Sequence, residues 1–250
     1  MANLKDLVDY INNLLEIRNF KDCCPNGLQV QGRIEVRTIV GGVTACQRLL
    51  DLAVKYKADA VLVHHGYFWN GEDPCITGMR QRRLYTLLRN EISLIAYHLP
   101  MDVHPELGNN AQLAHALKLN ISGTIDQSRL VMIGTPSSPL SGEAFANYIA
   151  CQLGRSPLYI SGGGNKLIKC LAWCTGAAQS YIEVAFEAGA DAFLTGEISE
   201  QTVHFAHENG LHFFAAGHHA TERYGIQALG ARLSEEFGLK FIYMDIYNPV

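Results

Sequence analysis

The sequence predicts an α/β protein of two related, internally duplicated halves, each a mostly parallel sheet flanked by helices. Three observations carry this. Short apolar runs of strand length alternate with amphipathic stretches of helical period, the pattern of strand–helix–strand units around a buried sheet. The element order of the first half returns in the second. The return also extends to residues. Displaced by 132 positions, Ala45, Gln47, Ala53, Ala58-Asp59-Ala60 and Leu62 fall on Ala177, Gln179, Ala185, Ala190-Asp191-Ala192 and Leu194. The next strand matches at a displacement of 120, which sets His98-x-x-x-Asp102 on His218-x-x-x-Glu222 and Ala96 on Ala216. Such self-similarity is a primary signal of duplication. The halves are expected at 1–125 and 126–250, with a C-terminal strand at 239–247 available to the first.

The elements follow in order. Leucines at helical spacing make 4–17 a helix, and Lys5, Asp6 and Asp9 among them argue against a signal peptide. Pro25 and Asn26-Gly27 turn the chain into strands 28–31 and 36–43. Helix 45–57 puts Leu49, Leu50, Ala53 and Val54 on one face. The stretch 58–69, ADAVLVHHGYFW, is a strand that ends in two histidines, a glycine and three aromatics. Gly71, Pro74 and Gly78 mark a loop before a helix near 80–90. Strand 92–97 ends at His98, and Asn109-Asn110 caps a helix reaching about residue 119. The second half reads as helix 142–153, strand 157–160, loop 161–165, strand 167–174, helix 178–188, strand 190–195, helix 199–208 and strand 211–216. A helix to residue 237 and strand 240–246 complete it.

With 48% hydrophobic and 18% charged residues in 250, the chain can bury a sizeable core. A net charge of −4 gives no general attraction to nucleic acid or anionic membrane, and no apolar run approaches a membrane span. Seven cysteines without a CxxC motif or a secretory leader point to reduced thiols in a cytoplasmic protein.

In open α/β sheets, ligands bind beyond the carboxyl ends of strands. Four such ends carry His64-His65, His98 with Asp102, Gly196-Glu197, and His218-His219 with Glu222. Two related halves facing each other would bring these ends into one cleft, with a metal site in it. An imidazole–carboxylate set without thiolate suits zinc, iron, manganese or nickel. His218 and Glu222 share one face of a helix, whereas Pro100 stands between His98 and Asp102.

At this point the sequence resembles the family of GTP cyclohydrolase I type 2 homologues, also called Nif-three-like proteins. The residues that carry the resemblance are PNGLQV at 25–30, GVTA at 42–45, ADAVLVHHGYFW at 58–69, HLPMDVHPELGNN at 98–110, FLTGEISEQ at 193–201 and AAGHHATERYGI at 215–226. The similarity runs nearly end to end. It implies two divalent metal ions per subunit between the halves and a homohexameric ring. It also implies His64, His65, Asp102, His218 and Glu222 as the metal ligands, with Glu222 bridging both ions. By position, His98 is a pocket residue that supports the ligands and, with Glu197, a candidate catalytic residue; His219 is one residue off the ligand register. Glu197 occupies a histidine position in the duplication and is expected near the metals, orienting water or acting as a base.

Five side chains leave open positions on two ions for water, whose pKa an ion lowers towards ~7. The expected function is metal-dependent hydrolysis of a small molecule, a nucleotide or phosphoester. GTP cyclohydrolase-type activity rests on the resemblance alone. The alternative is a non-catalytic metal-binding or regulatory ring that binds a protein or nucleic-acid partner. Arg80-Gln-Arg-Arg83 with Arg89 would serve phosphates or a nucleic-acid backbone, or simply form a solvated helix face. Tyr67, Phe68 and Trp69 would stack on a base, or pack their loop against the second half. His204, His207 and His212 read as solvated; His104 and His115 carry no assignment. Gly162–Gly164 lacks the Lys-Ser/Thr ending of a phosphate loop and reads as a turn. No G-x-S-x-G elbow is present.

Overall fold

The computed structural model describes residues 1–125 and 127–250; the expected division after residue 125 falls at residue 126, outside the described residues. The chain forms two compact units, Met1–Leu107 with Gly225–Tyr247, and Gly108–Tyr224 with Asn248–Val250. It returns to the first unit within helix Arg223–Phe237.

The first unit holds a five-stranded sheet in the order Lys240–Tyr243, Thr38–Thr44, Ala60–His65, Ser93–Ala96, Gly27–Val30. All neighbours are parallel except the edge strand Gly27–Val30. Strand side chains alternate between faces, so each strand feeds two cores. Ala60 and Leu62 pack with helices Leu4–Leu14 and Arg223–Phe237, while Val61 and Val63 pack with helices Gln47–Lys55 and Gly78–Arg89.

The second unit repeats this with six strands, ordered Asn120–Thr124, Met132–Thr135, Leu171–Trp173, Ala192–Thr195, His212–Ala215, Leu158–Ser161. Its central three are parallel, and again the edge strand beside the last of them is antiparallel. Leu171, Trp173, Ala192 and Leu194 face helices Asn109–Ala116 and Gly142–Leu153; Ala172 and Phe193 face helices Ile182–Glu187 and Glu200–Asn209. Each large side chain so buried contributes about 1.5–3 kcal/mol.

The duplication survives in hydrogen bonds. The Asp59 carboxylate accepts from the backbone N–H groups of Arg37 and Thr38 at 2.8 and 2.9 Å; Asp191 accepts from Lys169 and Cys170, both at 2.9 Å. Each aspartate also pairs with a cation, Arg33 at 3.2 Å and Lys166 at 2.9 Å. Such a carboxylate pins the start of one strand to the start of the next.

Several elements depart from expectation, each for a physical reason. Helix 4–17 ends at Leu14, and a short 3-10 turn, Ile17–Asn19, follows Glu16 in the left-handed region. Strands Asn120–Thr124 and Met132–Thr135 carry no strong periodicity, because the first is an exposed edge. Asn110 does not cap its helix. Its side chain accepts from Thr175 N–H at 2.9 Å and donates to Leu130 O at 2.9 Å, bracing the strand end. Pro100 lies in the first turn of helix Leu99–Val103, where its missing N–H costs nothing. Strand pairing also places Ala96 level with Ala215, not Ala216, since Val63 pairs Ala96 and Thr195 pairs Ala215. The second half therefore has one extra residue between strand and site, and Gly217, at φ +102°, takes up the slack.

Candidate metal centre

The first unit's donor set grows from strand Ala60–His65. Its apolar run buries His64 completely, and His65 stands half-exposed at the end. His64 Nδ1 lies 2.9 Å from the Tyr97 carbonyl, so Nδ1 carries the proton and donates it. That leaves Nε2 as the lone-pair nitrogen, and it faces Asp102 Oδ1 at 3.5 Å. His65 Nδ1 lies 3.2 Å from Thr44 Oγ1. One ligand nitrogen each of His64, His65 and His98 lies within 4.8 Å of the others.

His98 does not pair with Asp102, despite their spacing. It stands just before the helix, and its Nδ1 meets Asp22 Oδ1 at 2.7 Å. Sequence reasoning missed Asp22, which lies 76 residues away in an irregular loop. Burial raises the Asp22 carboxyl, but hydrogen bonds from His98, Asn26 and the Leu99 N–H outweigh that and hold it well below the usual carboxylate range. Trp69 closes the edge of this set, its ring 5.0 Å from that of His98.

The second unit's donor set sits at the ends of Ala192–Thr195 and His212–Ala215. Gly196 occupies the position of His64, and Glu197 that of His65. A Cβ on Gly196 would meet the His218 backbone at 2.6 Å, so the absent side chain is what lets His218 settle there. His218 Nδ1 lies 2.6 Å from Glu197 Oε1, and Nε2 lies 3.1 Å from Glu222 Oε2. Burial pushes the His218 pKa down, but Glu222 and then Glu197 prevail and raise it to about 9. Glu222 is only 3% exposed. Gly176, at φ +71°, walls it in: a Cβ there would lie 2.1 Å from Glu222 Oε1. His219 instead uses its backbone, donating to Val250 O at 3.1 Å.

The two sets share one design. In each, an imidazole has Nδ1 anchored by an acceptor and turns Nε2 towards the acid at the duplicated position. Metal-ligating histidines are held this way, the outer hydrogen bond fixing tautomer and ring angle. The donors therefore fit a borderline divalent ion.

Other candidates resolve into structure. Arg80 pairs with Glu72 and the Asp73 carbonyl, and Arg83 lies over the Tyr67 ring at 5.9 Å. Tyr67 packs into its own unit's core and donates to Ala45 O at 2.7 Å. His212 is fully buried, not solvated, bridging Tyr159 Oη and Lys166 O, each at 2.9 Å. Among the described residues, no cysteine forms a disulfide. Among the described residues, no helix is long and apolar enough to cross a membrane.

Fold and site together define a duplicated α/β protein with histidine–carboxylate clusters at its strand ends. The chain belongs to the Duf34/NIF3 (NGG1p interacting factor 3) family, whose model matches residues 2–249. It is 54% identical over 249 residues to a Pseudomonas aeruginosa protein named GTP cyclohydrolase 1 type 2 homolog, with 98% of each chain covered. A protein of the same name from Escherichia coli K12 is 52% identical over 244 residues, again covering 98% of each. Among solved structures, protein ybgI, titled as of unknown function, superposes with a TM-score of 0.97 at 51% identity over the whole of both chains. TTHA1606 from Thermus thermophilus does so with a TM-score of 0.89 at 32% identity, likewise over both whole chains.

Proposed function

We propose that the chain binds two divalent metal ions through both donor sets, His64, His65 and Asp102 from the first unit and His218 and Glu222 from the second. We further propose that it uses them to hydrolyse a small molecule, a nucleotide or phosphoester, as a cytoplasmic homohexamer. The observation that carries this is the repeated arrangement of anchored Nδ1 and acid-facing Nε2. It occurs in both units, at His64 and His218, which the duplication does not equate, and core packing alone does not account for it twice. The names of the relatives support a hydrolytic role and a guanine nucleotide as the first substrate to try.

When bound, such ions polarise a carbonyl or phosphoryl oxygen and supply a nucleophile at neutral pH. The chain's own residues do the rest. Glu197 accepts the His218 Nδ1 proton in a hydrogen bond and so fixes the ring with Nε2 facing the acid, Glu222. Tyr97 does the same for His64 through its carbonyl. His98, fixed by Asp22, stands ready to hold a proton beside His64 and His65. Gly176 and Gly196 keep the floor clear of side chains.

Turnover over a panel of nucleotides and phosphoesters, with chelated and reloaded protein, tests this reading. Activity that requires metal and disappears in Glu222→Ala supports it. Protein that holds metal and turns nothing over would replace it with the non-catalytic reading.

A further inference from the structure

A cavity of about 550 Å³ opens in the second unit beside Glu197, within the range of small-molecule sites. Leu158 and Ala215 supply an apolar wall, and Arg155, Gly196, Glu197, Gly217 and Val250 are among its other lining residues. Arg155 is half-buried. Its guanidinium lies flat against the chain just before His218: a Cβ on Gly217 would fall 2.3 Å from Nη1. Among the described residues it makes no hydrogen bond or ion pair, whereas the neighbouring carboxylate, Glu197, is already engaged by His218 at 2.6 Å. A partly desolvated guanidinium without an anion is unusual, since its planar fork is built for a carboxylate or phosphate.

We infer that this cavity is an oxyanion subsite, in which Arg155 grips the phosphate or carboxylate of a small molecule. The rest of that molecule lies along Leu158 and Ala215, with its opposite end at Glu197 and His218. Leu158 is 53% exposed, an apolar surface that such a ligand would cover. The inference builds on the hydrolase reading by naming the substrate class as anionic. Binding itself needs only Arg155 and the wall, not the metal ions.

The probes are inorganic phosphate, phenyl phosphate and benzoate, titrated by calorimetry into the full-length chain, with and without chelator. Binding is expected for phenyl phosphate or benzoate, tighter for the preferred head group, and weaker for inorganic phosphate, which lacks the apolar part. Arg155→Gln should weaken it roughly tenfold to a hundredfold, at unchanged circular dichroism and melting temperature. Arg155→Lys should restore part of it. Chelated protein should bind as the untreated protein does. Three results would overturn the inference: no binding of any probe, equal binding by Arg155→Gln, or binding lost with the metal, which would put the anion on the ions. Failure of the hydrolase reading leaves a distinct trace, with anions bound as expected and no metal-dependent turnover.

Discussion

Replacing Gly176 by alanine should cripple the second donor set without touching a donor. Two costs arise. The backbone at φ +71° is left-handed, which penalises an L side chain by about 1–2 kcal/mol. The new methyl would also lie 2.1 Å from Glu222 Oε1, so the carboxylate must withdraw by more than an ångström. Glu222 is buried, so withdrawal forfeits its contact with His218 Nε2, a charge-assisted bond worth roughly 1.5–3 kcal/mol. The sum, about 3–5 kcal/mol, should lower the melting temperature of chelated protein by on the order of 10 °C. Metal affinity should fall by more than about 100-fold, since a ligand is displaced and not merely loosened. Gly189→Ala is the control: its φ is +79°, but nothing lies within 4 Å of the added Cβ. It should show only the backbone cost and bind metal normally. Scanning calorimetry and metal titration of both variants make the comparison. Equal melting temperatures and equal metal affinities for the two would refute the claim that Gly176 exists to make room for Glu222.

Three more expectations follow from particular contacts. Glu197→Gln keeps the shape but weakens the anchor on His218 Nδ1, so metal affinity should drop about 10- to 100-fold, measured by competition with a chromogenic chelator. His218 titrates near 9 in the folded, metal-free chain and near 6.5 unfolded, so it stabilises the fold fully below pH 6.5 and loses that contribution as pH rises through 9. The melting temperature of chelated protein should therefore slope downwards between pH 7 and 9, and the slope should flatten in His218→Gln; identical slopes would count against the pairing. Asp59→Ala and Asp191→Ala each strip two backbone N–H groups of their acceptor, so each should cost about 2–4 kcal/mol in denaturant unfolding. A large cost for one and none for the other would contradict their equivalence.

Much of the fold was legible because its signals are local. The run 60–63 and the Ala-Asp-Ala repeats announce buried strands and their duplication. What the repeat hid was the shift of one residue before His218, since a glycine insertion leaves no mark on hydrophobic period. The exposed strand at 120–124 was hidden because an edge has no buried face to pattern it. That histidines and acids cluster beyond the strand ends could be read from residue type and spacing. Their supports could not. Asp22 reaches His98 from a loop far away in sequence, Tyr97 acts through its carbonyl, and Asn110 looks like a cap while bracing Thr175. Backbone acceptors and long-range partners are set by tertiary structure, which the local sequence does not encode. His212 misled in the same way: beside a polar helix it reads as solvated, yet Tyr159 and Lys166 satisfy both ring nitrogens in the core.

The claim on which the functional reading stands is that imidazoles and acids of both duplicated units serve the same pair of ions. Anomalous diffraction from metal-loaded crystals, collected on both sides of the metal's absorption edge, tests it directly. Two peaks per chain, contacted by His64, His65 and Asp102 as well as by His218 and Glu222, are the predicted result. Peaks bound by donors from one unit alone, with the other set holding no metal, would contradict it.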